Sequence, residues 1–383
     1  MTQDIYLDYN ATTPMDPRVF EVMEPFLRHS FASPMSSHAM GREVKLAVEQ
    51  AREQVAKFIG ARHAHEVIFT SGGTESNNAA IFGAVSSPVY QEGTRRRLVT
   101  SVIEHPAVLR PLKRLAAGGY TLELLPVDES CRIVCDEMIQ VVDSDAKFVS
   151  LMHANNEVGA VQPVAQVGER CREYGVLFHV DGAQAAGKLD VNVQRDVIDL
   201  YTLVGHKFYG PKGIGALYVR DDIDWSPSML GAGHEFGRRA GTHHVAGAVG
   251  LGKACELASA ELEQNTHQTK QLSAYLWDQL SSEIPDLHRT CSGAHCLSHV
   301  LHVCFPGVIG AQLLERAEIV MASTGSACHK LGDPPSSTLL AMGVDEDLAR
   351  GSVRLSMGHG VTEDALNRAS AALVRAYKEL LNA

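Results

Sequence analysis

Leu200-Tyr201-Thr202-Leu203-Val204 runs directly into Gly205-His206-Lys207-Phe208-Tyr209-Gly210-Pro211. An apolar run followed by a turn rich in glycine and proline reads as a strand whose C-terminal end delivers Lys207. Open α/β sheets collect their ligands at such strand ends. A lysine in a glycine-flanked turn can bond a carbonyl covalently and then swing away to act as a base. It does so only if burial and neighbouring cations keep its neutral form accessible. A surface lysine in a Gly/Pro turn has the same local sequence, so the surrounding segments decide.

Upstream, Val176 to Val180 forms another short apolar run, ending in Asp181-Gly182-Ala183-Gln184. Before it come Phe148-Val149-Ser150-Leu151, Leu98-Val99-Thr100 and Val67-Ile68-Phe69, separated by helical stretches, one of them opened by Pro163. Nearer the start, Asp16-Pro17 reads as a helix cap and first turn, with Val19, Val22, Met23, Phe26 and Leu27 on one face. Val44, Ala47, Val48, Ala51, Val55 and Phe58 repeat that pattern. The alternation predicts an α/β fold, a large domain with a mainly parallel sheet covered by helices. Residues 254–282 hold no glycine or proline and predict a long helix leaving that domain. Beyond it, strands at Ser298 to Phe305 and Ser352 to Ser356 mix with helices, which predicts a smaller α+β domain.

Composition narrows the function classes. The chain has 383 residues, 45% hydrophobic and 21% charged, which is ordinary for a soluble globular protein. A net charge of −11 argues against a nucleic-acid binder, and Arg95-Arg96-Arg97 reads as a solvated loop. No run approaches the roughly 18 apolar residues of a membrane span, and Met1-Thr2-Gln3-Asp4 lacks a signal pattern, so no membrane partner is expected. Eight scattered cysteines point to a reducing, cytoplasmic setting without a disulfide framework. Cys131 and Cys135, like Cys291 and Cys296, lack zinc-site spacing, so no metal is expected.

The remaining chemistry sits at other predicted strand ends. A carboxylate at Asp181 can hold a pyridine nitrogen protonated, making the ring an electron sink, and Gln184 can donate to a ring oxygen. Thr70-Ser71-Gly72-Gly73-Thr74-Glu75-Ser76-Asn77 joins a strand to a helix. The backbone of Gly73 and the Thr74 hydroxyl can cradle a phosphate there, although the spacing fits neither dinucleotide nor NTP motifs. His105 is placed to stack on a ring and move protons, and Asn156 to offer an amide. Arg354 suits a substrate carboxylate. Cys328, among small residues and before His329-Lys330, suits a nucleophile. A covalent lysine, a pyridine-nitrogen carboxylate and a phosphate turn together point to pyridoxal 5'-phosphate, with Lys207 as its Schiff-base lysine.

Tyr6 to Pro14, Thr70 to Asn78, Glu104-His105, Asn155-Asn156-Glu157, His179 to Gln184, Gly205 to Pro211 and Gly325 to Cys328 resemble the NifS-like cysteine desulfurases and selenocysteine lyases, of the class-V aminotransferase superfamily. The resemblance spans nearly the whole chain. It implies a fold-type-I pyridoxal-phosphate enzyme, a homodimer with a large domain at 15–258 and a small one from 1–14 and 259–383. It assigns Lys207, His105 and Cys328 to catalysis, and Asp181 to the pyridine nitrogen. Gly73, Thr74, His206 and, from the partner subunit, Thr242 would hold the phosphate. Asn156 and Gln184 would meet the ring oxygen, and Arg354 and Asn10 the substrate. The implied reaction takes sulfur from L-cysteine to Cys328, leaving L-alanine, and passes it to an acceptor protein.

Some positions depart from the family pattern. Val204 stands where desulfurases carry a serine, a feature shared with selenocysteine lyases. Ser33-Pro34-Met35-Ser36, His243-His244 and His359 also differ from the usual residues. Met321-Ala322-Ser323 and Gly332-Asp333 lean towards L-selenocysteine as substrate, whereas Gly213-Ile214-Gly215 and Gly325-Ser326-Ala327-Cys328 read as an ordinary desulfurase. An aminotransferase of the same fold, with Cys328 merely structural, is the remaining alternative.

Overall fold

The computed structural model describes residues 4–88, 95–324 and 335–382. Strand β1 (Ile5–Tyr6) precedes helices α1 (Pro17–Arg28) and α2 (Ala39–Phe58). An alternating series follows: β2 (Val67–Thr70), α3 (Gly73–Val85), β3 (Arg97–Ser101), α4 (Pro106–Ala117), β4 (Thr121–Leu125), α5 (Cys135–Val141), β5 (Ala146–Met152), α6 (Val164–Tyr174), β6 (Leu177–Asp181), β7 (Leu200–Val204) and β8 (Gly215–Val219). Helix α7 (Val245–Glu283) leads to β9 (His288–Arg289), β10 (Val300–Cys304), α8 (Gly310–Arg316), β11 (Val320–Met321), α9 (Ser337–Ala341), α10 (Glu346–Arg350), β12 (Ser352–Ser356) and α11 (Glu363–Leu381).

Seven strands form the central sheet in the order β2-β8-β7-β6-β5-β3-β4. The block from β4 to β7 is parallel, and β8 runs antiparallel between β7 and β2. Strands β5, β6 and β7 are buried at every position because helices cover both faces, so their sequences do not alternate. One face packs Val48, Val55 and Leu251 from α2 and α7, and the other packs Ile81, Ala84 and Leu112 from α3 and α4. The half-exposed edge strand β4 and the glycine-led β8 carried weaker sequence signals.

A second core gathers Leu7 and Tyr9 from the start of the chain with Leu276, Leu301, Val303, Leu355 and Leu373 from its last third. It includes the antiparallel sheet β12-β10-β9, while β1 pairs in parallel with β11. Asn10, which follows Tyr9 of that core, reaches the segment after β5 by donating from Nδ2 to the Asn156 carbonyl.

Two sequence expectations need correction. The long helix begins at Val245, nine residues before the predicted 254, because the glycines there are contact points. A Cβ on Gly250 would lie 2.5 Å from Met23 Sδ, and one on Gly252 would lie 2.8 Å from Ala51 Cα. Those glycines let α7 press against α1 and α2. The expectation of cysteines without disulfides fails at one pair: Cys291 and Cys296 are bonded across a turn that brings their Cα atoms to 6.3 Å. Four intervening residues form a loop long enough for this, within the usual Cα range.

Candidate active site

Met152 and Asp181 are register partners at the ends of β5 and β6, and Val204 ends β7 beside them. The residues of these strand ends, with the first turns of α3 and α4, enclose a pocket of about 300 Å³. Asn10, Gly73, Thr74, His105, Asn156, Asp181, Gln184, His206, Lys207 and Arg354 all line it. Thus ten residues chosen from separate sequence segments converge on one cavity. Thr242 is exposed and does not line the pocket of its own chain, and Cys328 lies outside the described residues.

Lys207 follows β7 in a single helical turn, and its Nζ donates to the carbonyls of Asn10 at 2.7 Å and Ala11 at 2.9 Å. Burial, and then the Arg354 guanidinium, lower its amine to about 8, with Asp181 and Asp8 pulling the other way. A lysine held this low has a substantial neutral fraction near pH 8, as a nucleophile requires. Asp181 is buried and fixed at both oxygens: Asn77 Nδ2 donates to Oδ2 at 2.7 Å, and the Ala183 N–H to Oδ1 at 3.0 Å. Asn77 keeps its own Oδ1 buried without a partner. From sequence Asn77 has no assigned role, although it lies one helical turn beyond Gly73 and Thr74 on α3.

His105 caps α4, its Nδ1 accepting the Ala107 N–H at 3.1 Å. An acceptor at Nδ1 leaves the proton of the neutral ring on Nε2. Burial lowers the His105 value, Asp181 opposes that shift, and Lys207 adds to the lowering. The preceding residue, Glu104, is buried; Ser101 Oγ donates to its Oε1 at 2.7 Å and the Met152 N–H at 2.8 Å, while Oε2 has no partner. Burial pushes its carboxyl up to about 8, against those two hydrogen bonds.

A phosphate has a ready seat. Gly72 holds φ at +143°, a conformation suited to glycine, and turns the chain into α3. The first helical hydrogen bond there runs from Ser76 N to Gly72 O. The N–H groups of the turn before it therefore lack intrahelical partners, as at any helix start. His206 lines the same pocket; its Nδ1 meets Thr12 Oγ1 at 3.1 Å, which leaves Nε2 for another partner. Burial, and then Lys207, hold that ring near 4, so it is neutral. Val204 adds a methyl surface here in place of a hydroxyl.

The opposite side of the pocket is built from distant segments. Arg354 on β12 donates to the Asn156 carbonyl at 2.7 Å and to Asp8 Oδ1 at 2.7 Å, and its Nε is buried without a partner. Asn10 is tied on all sides. Its N–H meets Ser356 Oγ at 3.0 Å, its Nδ2 donates to the Asn156 carbonyl at 3.2 Å, and its Oδ1 lies 2.6 Å from His299 Nε2. His299 is buried and was not anticipated from sequence. The donor set fits pyridoxal 5'-phosphate: a lowered lysine amine, a fixed carboxylate and a helix start with a neutral histidine. Among the described residues no group of three or more His, Cys, Asp or Glu could hold a metal, and no helix is long and apolar enough to cross a membrane.

Comparison with known proteins agrees with this geometry. Residues 5–368 match the family described as aminotransferase class-V. The cysteine desulfurase IscS of Dictyoglomus turgidum is 39% identical over 382 residues, covering 99% of this chain and 96% of that protein. Among solved structures, a NifS-like protein superposes with a TM-score of 0.91 at 34% identity, covering both chains fully. SspA in complex with cysteine gives a TM-score of 0.81 at 34% identity, covering 92% of this chain and 98% of that one.

Proposed function

The chain belongs to the class-V aminotransferases, among the NifS-like cysteine desulfurases, and on that premise we propose that it takes sulfur from L-cysteine, giving L-alanine and a persulfide on Cys328. The observation that carries the reading is the meeting of Lys207, Asp181 and His105 in one pocket on a chain that matches a cysteine desulfurase along almost its whole length. Pyridoxal 5'-phosphate, when bound, supplies an electron sink for negative charge at the substrate Cα.

Each residue then has a task that its surroundings support. Lys207 would hold the cofactor, and its neutral Nζ would take the Cα proton. Asp181, oriented by Asn77 and the Ala183 N–H, keeps a proton on the pyridine nitrogen. His105 would face the cofactor and offer its Nε2 proton. Gly73, Thr74 and His206 hold the phosphate, joined by Thr242 of a second subunit; its exposure away from its own pocket supports that assignment. Asn156 and Gln184 orient the ring oxygen, and Arg354 and Asn10 the substrate carboxylate. The Cys328 thiolate takes the sulfur atom, and the persulfide passes it to an acceptor protein.

The test measures alanine release from L-cysteine and from L-selenocysteine, in the wild type and in Cys328→Ala. The expected result is alanine from cysteine that is lost in Cys328→Ala, with a protein-bound persulfide in the wild type alone. Keto-acid formation without alanine would convert the reading to an aminotransferase. Turnover of selenocysteine alone would convert it to a selenocysteine lyase.

A further inference from the structure

Gln184 and Lys188 lie four residues apart in the turn after β6. Lys188 Nζ donates to Gln184 Oε1 at 3.1 Å, and Gln184 Nε2 donates to the Asn10 carbonyl at 3.0 Å. That carbonyl also accepts Lys207 Nζ at 2.7 Å. One amide and one carbonyl therefore join two lysines. The lysines share space as well. Lys207 lines the main pocket and also a second cavity of about 40 Å³, which Lys188 lines together with His299, Ser298 and Thr269. Such a volume accommodates roughly one water.

Among the described residues no carboxylate pairs with Lys188; its hydrogen-bond partner is Gln184. Burial, then Lys207, then Arg354 push its amine down to about 7. Asp181 and Asp8 favour the charged form of Lys207 from the side of the main pocket, whereas the histidines and tyrosines nearby are neutral in this range. Burial holds His206, His299 and His359 below the ordinary histidine value, and it raises Tyr9 and Tyr209 above the ordinary phenol value. Arg354 is the fixed cation. Two amines bordering one cavity repel each other as cations and share the proton that either alone would hold.

We propose that Lys188 is a positioning residue for Lys207 and Gln184, a second amine whose charge competes with a proton on Lys207 and whose N–H anchors the Gln184 amide. A proton on Lys188 Nζ disfavours a second one on Lys207 Nζ, so the neutral, nucleophilic form of Lys207 is favoured whenever Lys188 is charged. By donating to Gln184 Oε1, Lys188 commits that oxygen and leaves Gln184 Nε2, with its second N–H, to Asn10 and the pocket. This role rests on the pyridoxal-phosphate reading above.

The test follows covalent capture of pyridoxal 5'-phosphate at Lys207 as a function of pH. Cofactor-stripped full-length protein is reloaded, reduced with borohydride and mapped by mass spectrometry, for the wild type, Lys188→Met and Lys188→Arg. Without the neighbouring amine, the Lys188→Met midpoint is expected to rise above the wild type. With a permanent neighbouring cation, the Lys188→Arg midpoint is expected to fall below the wild type. A Lys188→Met midpoint equal to the wild type, in protein with an unchanged circular dichroism spectrum, overturns the proposal. So does a Lys188→Arg midpoint at or above the wild type, which decides the matter if Lys188→Met does not fold. If the wild type captures no cofactor at Lys207 at any pH, the cofactor reading itself fails, a result distinct from unshifted midpoints.

Discussion

Two halves of the pocket are held in different ways. The half made of Asp181, His105, Thr74 and Lys207 comes from the segments that follow strands of the one large sheet, and local backbone sets much of their placement. Ala183 N–H fixes Asp181, Ala107 N–H fixes His105, and the turn after β7 carries Lys207. The half made of Asn10, Arg354 and His299 belongs to the core that joins both ends of the chain, and it is held by long-range bonds. Arg354 reaches Asp8 and Asn156, and Asn10 reaches Ser356, Asn156 and His299. The first half should govern chemistry, and the second should govern how substrate and cofactor are held.

The sharpest test of that division is Asp181→Asn. It keeps the shape but removes the charge facing the ring, and kcat/KM is expected to fall on the order of 10²–10³-fold, as for loss of a preorganised electrostatic group. Steady-state alanine formation measures it. A loss of only a few-fold would show that Asp181 does not face the cofactor. Arg354→Gln comes next. Charged hydrogen bonds contribute about 1.5–3 kcal/mol each, so kcat/KM is expected to fall about 10- to 100-fold, mainly through KM. An unchanged KM would remove Arg354 from carboxylate binding.

The two halves also differed in how legible they were. Asp181, His105, Thr74 and Lys207 each stand where an apolar run meets a Gly, Pro or capping residue, and period and punctuation mark such points. Arg354 was found by its alternating strand, but its pairing with Asp8, 346 residues away, left no local trace. His299 and Lys188 sat in segments without a motif, and only the tertiary hydrogen bonds to Asn10 and Gln184 reveal them. The same limit explains the helix start at Val245. Glycine is a poor helix former by propensity, and only the packing partners Met23 and Ala51 account for Gly250 and Gly252.

Asn10→Ala probes the joint between the halves. It removes the side-chain bonds to Asn156 and His299 but keeps the carbonyl that receives Lys207 and Gln184. Leaving buried partners unsatisfied costs about 1–3 kcal/mol, so a lowered melting temperature is expected, with cofactor capture at Lys207 retained. Loss of capture with unchanged stability would reverse the proposed division of labour.

The smallest effect concerns Glu104, which supports the strand-end half from behind. Its carboxyl is raised to about 8 by burial, so the folded protein keeps a proton there that the unfolded chain releases near the ordinary carboxylate value. Because the folded-state value is the higher one, this contribution to stability is fully present below the unfolded value and disappears as pH rises through about 8. Glu104→Gln imitates the protonated form and can keep the bonds from Ser101 and the Met152 N–H. Melting temperatures measured from pH 5 to pH 9 should therefore decline more steeply in the wild type than in Glu104→Gln. Parallel curves would mean that Glu104 is charged in the folded state, and the unpartnered Oε2 beside Asp181 would then need a cation to balance it.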